Sequence, residues 1–238
     1  MQAMPTTIDL ESHSDADEPY AALSSRVAAA LRDQVVSNPR SVLALAAGRT
    51  PTGAYRLLSR WSKDGALDWR AIRCFGLDEY WDAGVGRSLR QYLEANLYQN
   101  INLPARSRFN PLFSNDYDGL VEREGGLDLT LLGIGKNGHI AFNEPSTPLL
   151  SWTHCVYLAE STRQANAELF GGSSRVPHRA VTMGIQTILA SRKIILMVSG
   201  QEKRSILKRA LSGPVDEDVP ASFLQLHQNL TVMTDFAV

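Results

Sequence analysis

The feature that most limits the fold is a set of short apolar runs with little polar alternation, separated by helical patterns. Val42-Leu43-Ala44-Leu45-Ala46, residues 127–134 and Ile194-Ile195-Leu196-Met197-Val198 are runs of this kind. A strand with one wet face alternates apolar and polar side chains, whereas a strand apolar on both faces must be covered on both. Over 18–36, Ala22, Leu23, Val27, Ala30, Leu31 and Val35 recur at helical spacing until Asn38-Pro39 stops the pattern. Further helical patterns cover 52–62, 88–99, a stretch from 161, 183–189 and 202–211, and further strands are expected near Ile8 and over 72–77, 155–158 and 230–234. This alternation predicts an α/β fold: a single doubly wound, mostly parallel sheet with helices on both faces, modified Rossmann-like, with its site in the loops at the strand C-termini. There is no internal repeat and no low-complexity linker. One domain is expected over 7–238, behind a frayed terminus at 1–6.

Composition narrows the function classes. Lys and Arg total 24 against 25 Asp and Glu, a formal net charge of −1. Such a chain has no general electrostatic attraction to nucleic acid or to an anionic membrane, so neither is expected as a partner. Cys74 and Cys155 are the only cysteines; they make neither a disulfide framework nor a zinc site and read as two reduced thiols in a cytoplasmic protein. No apolar run approaches the ~20 residues that span a bilayer, and the polar first seventeen residues lack a signal-peptide core. The expectation is a cytoplasmic protein acting on small molecules.

Four loops follow apolar strands and carry candidate chemistry. In Ala47-Gly48-Arg49-Thr50-Pro51, Gly48 permits a sharp turn, Thr50 suits a helix N-cap and Pro51 the first helical position. Free amides there would bind phosphate, although a plain strand-to-helix turn explains the same residues. No Walker lysine follows. Leu77-Asp78-Glu79-Tyr80 places two adjacent carboxylates where a strand meets the crevice. One is a candidate general base, with a helix cap as the other explanation.

Residues 133–145 read GIGKNGHIAFNEP, and the first six match the dinucleotide pattern G-x-G-x-x-G, with Glu160 about 20 residues further on. That fingerprint requires a long helix starting in the loop, which Pro145 and Pro148 prevent. What remains is His139 with Glu144 nearby, a carboxylate able to set the tautomer and basicity of an imidazole. A metal is not expected, because no second ligand stands at metal spacing. Finally, Lys203 in Gly200-Gln201-Glu202-Lys203 opposes a helix dipole; a bound anion or simple solvation accounts for it.

In this order the segments resemble the glucosamine-6-phosphate deaminase (glucosamine-6-phosphate isomerase) family, which shares its fold with 6-phosphogluconolactonases. The resemblance spans about 8–234 and is most specific at Gly138-His139-Ile140-Ala141-Phe142-Asn143-Glu144-Pro145, with Leu77-Asp78-Glu79-Tyr80, Thr182-Met183-Gly184-Ile185 and residues 220–227 also matching. It implies conversion of glucosamine 6-phosphate to fructose 6-phosphate and ammonia without cofactor. His139 would open the sugar ring, Glu144 would orient it through a hydrogen bond, and Asp78 would take the C2 proton. Asn137 would belong to the ring-opening group, where many members carry aspartate. Ala47, Gly48, Arg49, Thr50 and Lys203 would hold the phosphate, under a mobile lid over about 158–180.

Further positions depart from the family pattern. Glu168 falls where many members place a phosphate-binding arginine, leaving Arg163, Arg175 or Arg49 as substitutes. Some members are hexamers whose activator phosphate is gripped by basic side chains after the Phe-Asn-Glu-Pro segment. The matching positions here are His154 and Val156, which implies hyperbolic kinetics and a monomer or small homo-oligomer. Galactosamine 6-phosphate as substrate, a lactonase-like hydrolase, a non-catalytic sugar-phosphate sensor and a nicotinamide dehydrogenase stand as alternatives.

Overall fold

In a computed structural model that describes residues 7–12, 18–82, 84 and 87–238, strand and helix alternate as the apolar pattern requires. The expected fraying of residues 1–6 lies outside the described residues. The first half contains β1 (Thr7–Ser12), α1 (Pro19–Ser37), β2 (Val42–Leu45), α2 (Thr52–Lys63), β3 (Arg73–Gly76) and β4 (Asp78–Tyr80). It continues with α3 (Leu89–Asn96), β5 (Arg108–Phe109), α4 (Tyr117–Arg123) and β6 (Leu129–Leu132). The second half contains β7 (His154–Tyr157), α5 (Glu160–Ala165), α6 (Ala167–Phe170), β8 (Arg179–Thr182) and α7 (Ile185–Leu189), then β9 (Ile194–Val198), α8 (Arg204–Ser212) and β10 (Asn229–Thr234).

The main sheet has seven strands in the order β1-β10-β9-β6-β2-β3-β5, and every pairing in it is parallel. Period-two geometry splits β2 between two cores. Leu43 and Leu45 pack with α1 and α2 through Leu23, Val27, Leu31, Tyr55 and Leu58. Val42 and Ala44 share the opposite core with Tyr117 and Val121 of α4 and with Ile206, Leu207 and Ala210 of α8. Burying both faces is what a strand without polar alternation demands, and it makes β2 a rigid base for the loop that follows it. Between β2 and β6 the strand order reverses, and an open α/β sheet has its ligand crevice at that point.

To this expected sheet the structure adds a second one, three antiparallel strands in the order β4-β8-β7. The strand expected near 155–158 belongs here rather than in the parallel sheet. Its burial alternates, with Cys155 and Tyr157 exposed and His154 and Val156 half-buried, which suits a sheet wet on one side. No helix starts in the loop after β6, so the dinucleotide fingerprint lacks its helix. Thr50 and Pro51 also sit differently from expectation. Helix α2 begins at Thr52, Pro51 occupies the cap position and no side chain caps the helix. Thr52 N–H donates to the Arg49 carbonyl at 3.3 Å, closing an extra turn before the helix. Among the described residues no helix is long and apolar enough to cross a membrane.

Candidate functional site

The loops after β2, β3, β6 and β9 converge on a cleft of about 1610 Å³, lined among others by Ala47, Gly48, Arg49, Thr50, Asp78, Asn137, His139 and Lys203. These eight sequence candidates therefore meet in one place. Glu144, the ninth, does not line the cleft; it is buried behind His139.

The loop after β2 is built to present backbone N–H groups. Gly48 has φ +113, a conformation that a side chain resists. The N–H groups of Gly48, Arg49 and Thr50 donate to no acceptor among the described residues. From α1, the Tyr20 hydroxyl braces the loop, 3.3 Å from the Arg49 carbonyl and 3.1 Å from that of Thr50, while accepting from Gly53 N–H at 3.1 Å. Open amides in a fixed loop suit an anion with several acceptor oxygens. Lys203 faces the same cleft from the turn after β9. Burial pushes its amine below the ordinary value; Lys136 adds to the shift, while Glu202 and Asp235 oppose it. A seated phosphate dianion would restore the charged form.

Asp78 opens β4 and lies opposite Thr182 in the small sheet. Burial first, and the adjacent Glu79 charge second, push its carboxyl up to about 8. Glu79 has a different environment. Its Oε1 accepts from Tyr80 N–H and Leu89 N–H, both at 2.9 Å. Its Oε2 accepts from Ser88 Oγ at 2.6 Å, Arg90 N–H at 2.9 Å and Asn110 Nδ2 at 3.1 Å. Glu79 thus satisfies the open N-terminus of α3.

The loop after β6 holds the imidazole. A Cβ on Gly135 would lie 2.3 Å from the His139 ring, so only glycine allows the ring to fold back there. His139 Nδ1 is 3.3 Å from Thr162 Oγ1 and 3.6 Å from Glu144 Oε2. The expected direct hydrogen bond between His139 and Glu144 is therefore a longer electrostatic contact, and each Glu144 oxygen accepts from another donor. Oε2 accepts from Asn137 Nδ2 at 2.7 Å and Oε1 from Ala159 N–H at 3.2 Å. Burial pushes the Glu144 carboxyl up, but His139, Thr162 and Asn137 outweigh it and leave the group below its ordinary value. Asn137 Oδ1 also accepts from His139 N–H at 3.2 Å. Asn137 therefore ties the Glu144 carboxylate to the backbone of His139, through an amide that cannot itself take a proton. The loop is tied to the small sheet by Asn143 Nδ2, which donates to the Met183 carbonyl at 2.8 Å, and by Phe142 N–H, which donates to Thr182 Oγ1 at 3.0 Å.

The family described as glucosamine-6-phosphate isomerases/6-phosphogluconolactonase matches residues 14–233. The chain belongs to this family. It is 42% identical over 231 residues to a glucosamine-6-phosphate deaminase of Lachnoclostridium phytofermentans, covering 91% of this chain and 96% of that protein. It is also 42% identical over 228 residues to glucosamine-6-phosphate deaminase 1 of Bacillus subtilis, covering 91% and 93%. Among solved structures, a monomeric glucosamine-6-phosphate deaminase superposes with a TM-score of 0.89 at 39% identity, over 95% of this chain and 96% of that one. A 6-phosphogluconolactonase from Trypanosoma cruzi shares the fold at TM-score 0.75 and 19% identity, over 98% of this chain and 96% of that one.

Within this family frame, the question of which arginine serves the cleft has a geometric answer. Arg163 is occupied, with Nη1 donating to Glu160 at 2.8 Å and Nη2 to the Ser173 carbonyl at 3.0 Å. Neither Arg163 nor Arg175 lines the cleft, whereas Arg49 does; Arg87 lines it too, with its guanidinium over the Phe170 ring. Residue reading missed Tyr20, Thr162 and Lys136. Lys136 had a signal, as the only cation in its glycine-rich loop. Tyr20 and Thr162 had none, since each reaches the site from a helix distant in sequence. Among the described residues no group of three or more His, Cys, Asp or Glu side chains could hold a metal ion.

Proposed function

We propose that this protein deaminates and isomerises glucosamine 6-phosphate, giving fructose 6-phosphate and ammonia. The observation that carries the reading is the meeting, in one cleft, of an unbonded amide loop, a half-buried carboxyl with a raised pKa and an imidazole backed by a carboxylate. The relatives named as glucosamine-6-phosphate deaminases support the choice of substrate.

The phosphate sits on the amides of Gly48, Arg49 and Thr50, with the Arg49 and Lys203 side chains supplying charge. His139 moves the proton from the O1 hydroxyl to the ring oxygen, which opens the sugar. Glu144 stabilises the transient imidazolium, and Asn137 and Thr162 keep the pair aligned. The aldehyde acidifies C2, and Asp78 removes that proton to give an enolamine. Protonation at C1 yields an imine at C2, and water displaces ammonia from it. The net reaction consumes one water and breaks the C2–N bond, as in a hydrolase acting on a C–N bond. Every step is a proton transfer or an addition to the substrate's own carbonyl, so the chain's residues suffice for it.

A monomer or small homo-oligomer fits this reading, and the solved monomeric glucosamine-6-phosphate deaminase that the chain resembles supports it. A cytoplasmic setting accords with two free cysteines, Cys74 buried and Cys155 exposed. The deciding experiment is a coupled ammonia-release assay on glucosamine 6-phosphate and galactosamine 6-phosphate, run beside a lactonase assay on 6-phosphogluconolactone. Turnover confined to the lactone would overturn the proposal. Preference for the galacto epimer would reassign the substrate.

A further inference from the structure

One ion pair bridges the mouth of the cleft. Arg49 Nη1 donates to Glu168 Oε2 at 3.0 Å, joining the loop after β2 to α6 across 119 residues of sequence. Both side chains are 81% exposed, and both line the cleft. An exposed pair of this kind adds little stability, so its placement has to be explained by something else.

The two ends of the contact are held differently. The loop under Arg49 is braced by Tyr20. Helix α6 is fixed by Phe170, which is fully buried, with its ring 5.1 Å from Tyr80 and 5.8 Å from the Arg87 guanidinium. Glu168, two residues before this anchor, is thereby kept at the rim with its carboxylate toward the cleft. The contact occupies one nitrogen of the guanidinium. Among the described residues the other Arg49 donors make no side-chain hydrogen bond, so most of a five-donor fork stays open beside the amides of Gly48 and Thr50.

We propose that Glu168 is a positioning residue for Arg49: its carboxylate holds the guanidinium aimed at the phosphate seat, so that the sugar phosphate meets an ordered donor fork. The inference rests on the phosphate site of the proposed function. A long exposed side chain loses rotamer freedom when it closes on a ligand, and a partner that orders it beforehand lowers that loss. The negative charge of Glu168 is largely neutralised by Arg49 and screened by solvent, which limits its repulsion of the incoming dianion.

The test compares the full-length wild type with Glu168→Ala, Glu168→Asp, Arg49→Ala and the double alanine variant. It reads KM and kcat for glucosamine 6-phosphate, and the dissociation constant of inorganic phosphate by calorimetry. Glu168→Ala is expected to raise KM and the phosphate constant about two- to fivefold, with the change in KM rather than kcat, and Glu168→Asp to restore part of it. Arg49→Ala is expected to raise both about tenfold or more. The double variant is expected to match Arg49→Ala alone, because Glu168 acts only through Arg49. Tighter phosphate binding in Glu168→Ala, no change at all, or an additive loss in the double variant would each overturn the inference. If the wild type releases no ammonia, the proposed reaction fails, and the phosphate constants alone decide the role of Glu168.

Discussion

Asp78 and Glu79 are adjacent carboxylates on one short strand, and the fold gives them opposite work. Glu79 accepts hydrogen bonds from Ser88, Leu89 N–H and Arg90 N–H and closes the N-terminus of α3. Asp78 lines the cleft, where burial and its neighbour's charge hold the proton on it. Successive side chains of a strand point to opposite faces, and that alternation separates a base from an anchor one residue away.

The two residues should therefore fail differently when changed. Asp78→Asn keeps the shape but cannot accept the C2 proton, so kcat should fall about 10²–10⁴-fold while inorganic phosphate still binds. Glu79→Ala removes the acceptor for buried donors, and unfolding in urea should show a loss of about 2–4 kcal/mol. Near-normal turnover in Asp78→Asn would remove Asp78 as the base.

The raised carboxyl of Asp78 makes two predictions about pH. As a base it must be ionised, so kcat/KM should rise with pH along a limb whose midpoint is about 8. For stability the sign runs the other way. The folded value lies above the unfolded one of about 3.9, so the native state holds this proton more tightly. Its contribution is complete below about pH 4 and is lost as pH rises through about 8, at up to about 1.4 kcal/mol per pH unit. Asp78→Asn lacks that loss. Urea unfolding at pH 5, 7 and 9 should show the variant gaining on the wild type as pH increases. A gap independent of pH would mean that burial does not hold the Asp78 proton.

His139→Gln should slow turnover most on the closed-ring sugar. An analogue held in the open-chain form bypasses the proton transfer between O1 and the ring oxygen and should lose less. Thr162→Val removes the hydroxyl 3.3 Å from His139 Nδ1 and should produce the same bias more weakly. Equal losses on both forms would assign His139 to a later step.

Much of this site was legible because glycines and chemistry-bearing residues stand in short loops after apolar strands, where local pattern carries the information. Gly48 and the stretch around His139 are examples. The second sheet was not legible. Strands β4 and β8 have three and four residues, too few to show a period, and β5 has two. The separate fates of Asp78 and Glu79 depend on Ser88, Leu89, Arg90 and Asn110, which approach from other elements. The Arg49–Glu168 contact joins residues 119 apart, a distance that no spacing rule reaches. Asn137 stands two residues before His139 in the sequence, but its tie to Glu144 at 2.7 Å shows in the folded loop alone.

The last prediction concerns regulation. An activator phosphate bound near 154–156 would need cations there, and this segment offers few. His154 Nδ1 is 2.7 Å from the Trp152 carbonyl, so one ring nitrogen is engaged by its own backbone. The one remaining ring nitrogen is a weaker anchor for a dianion than the several charged donors of an arginine or lysine. Val156 is half-buried and packs against the apolar cluster of Tyr80, Phe142 and Phe170, where a charged group would lose its hydration. Velocity is therefore expected to depend hyperbolically on glucosamine 6-phosphate, with no change in KM when N-acetylglucosamine 6-phosphate is added. Initial rates across a substrate series with and without that compound check this. A sigmoidal curve that it converts to a hyperbola would locate an activator site in other residues, and replacing His154 by alanine would then test whether β7 takes part.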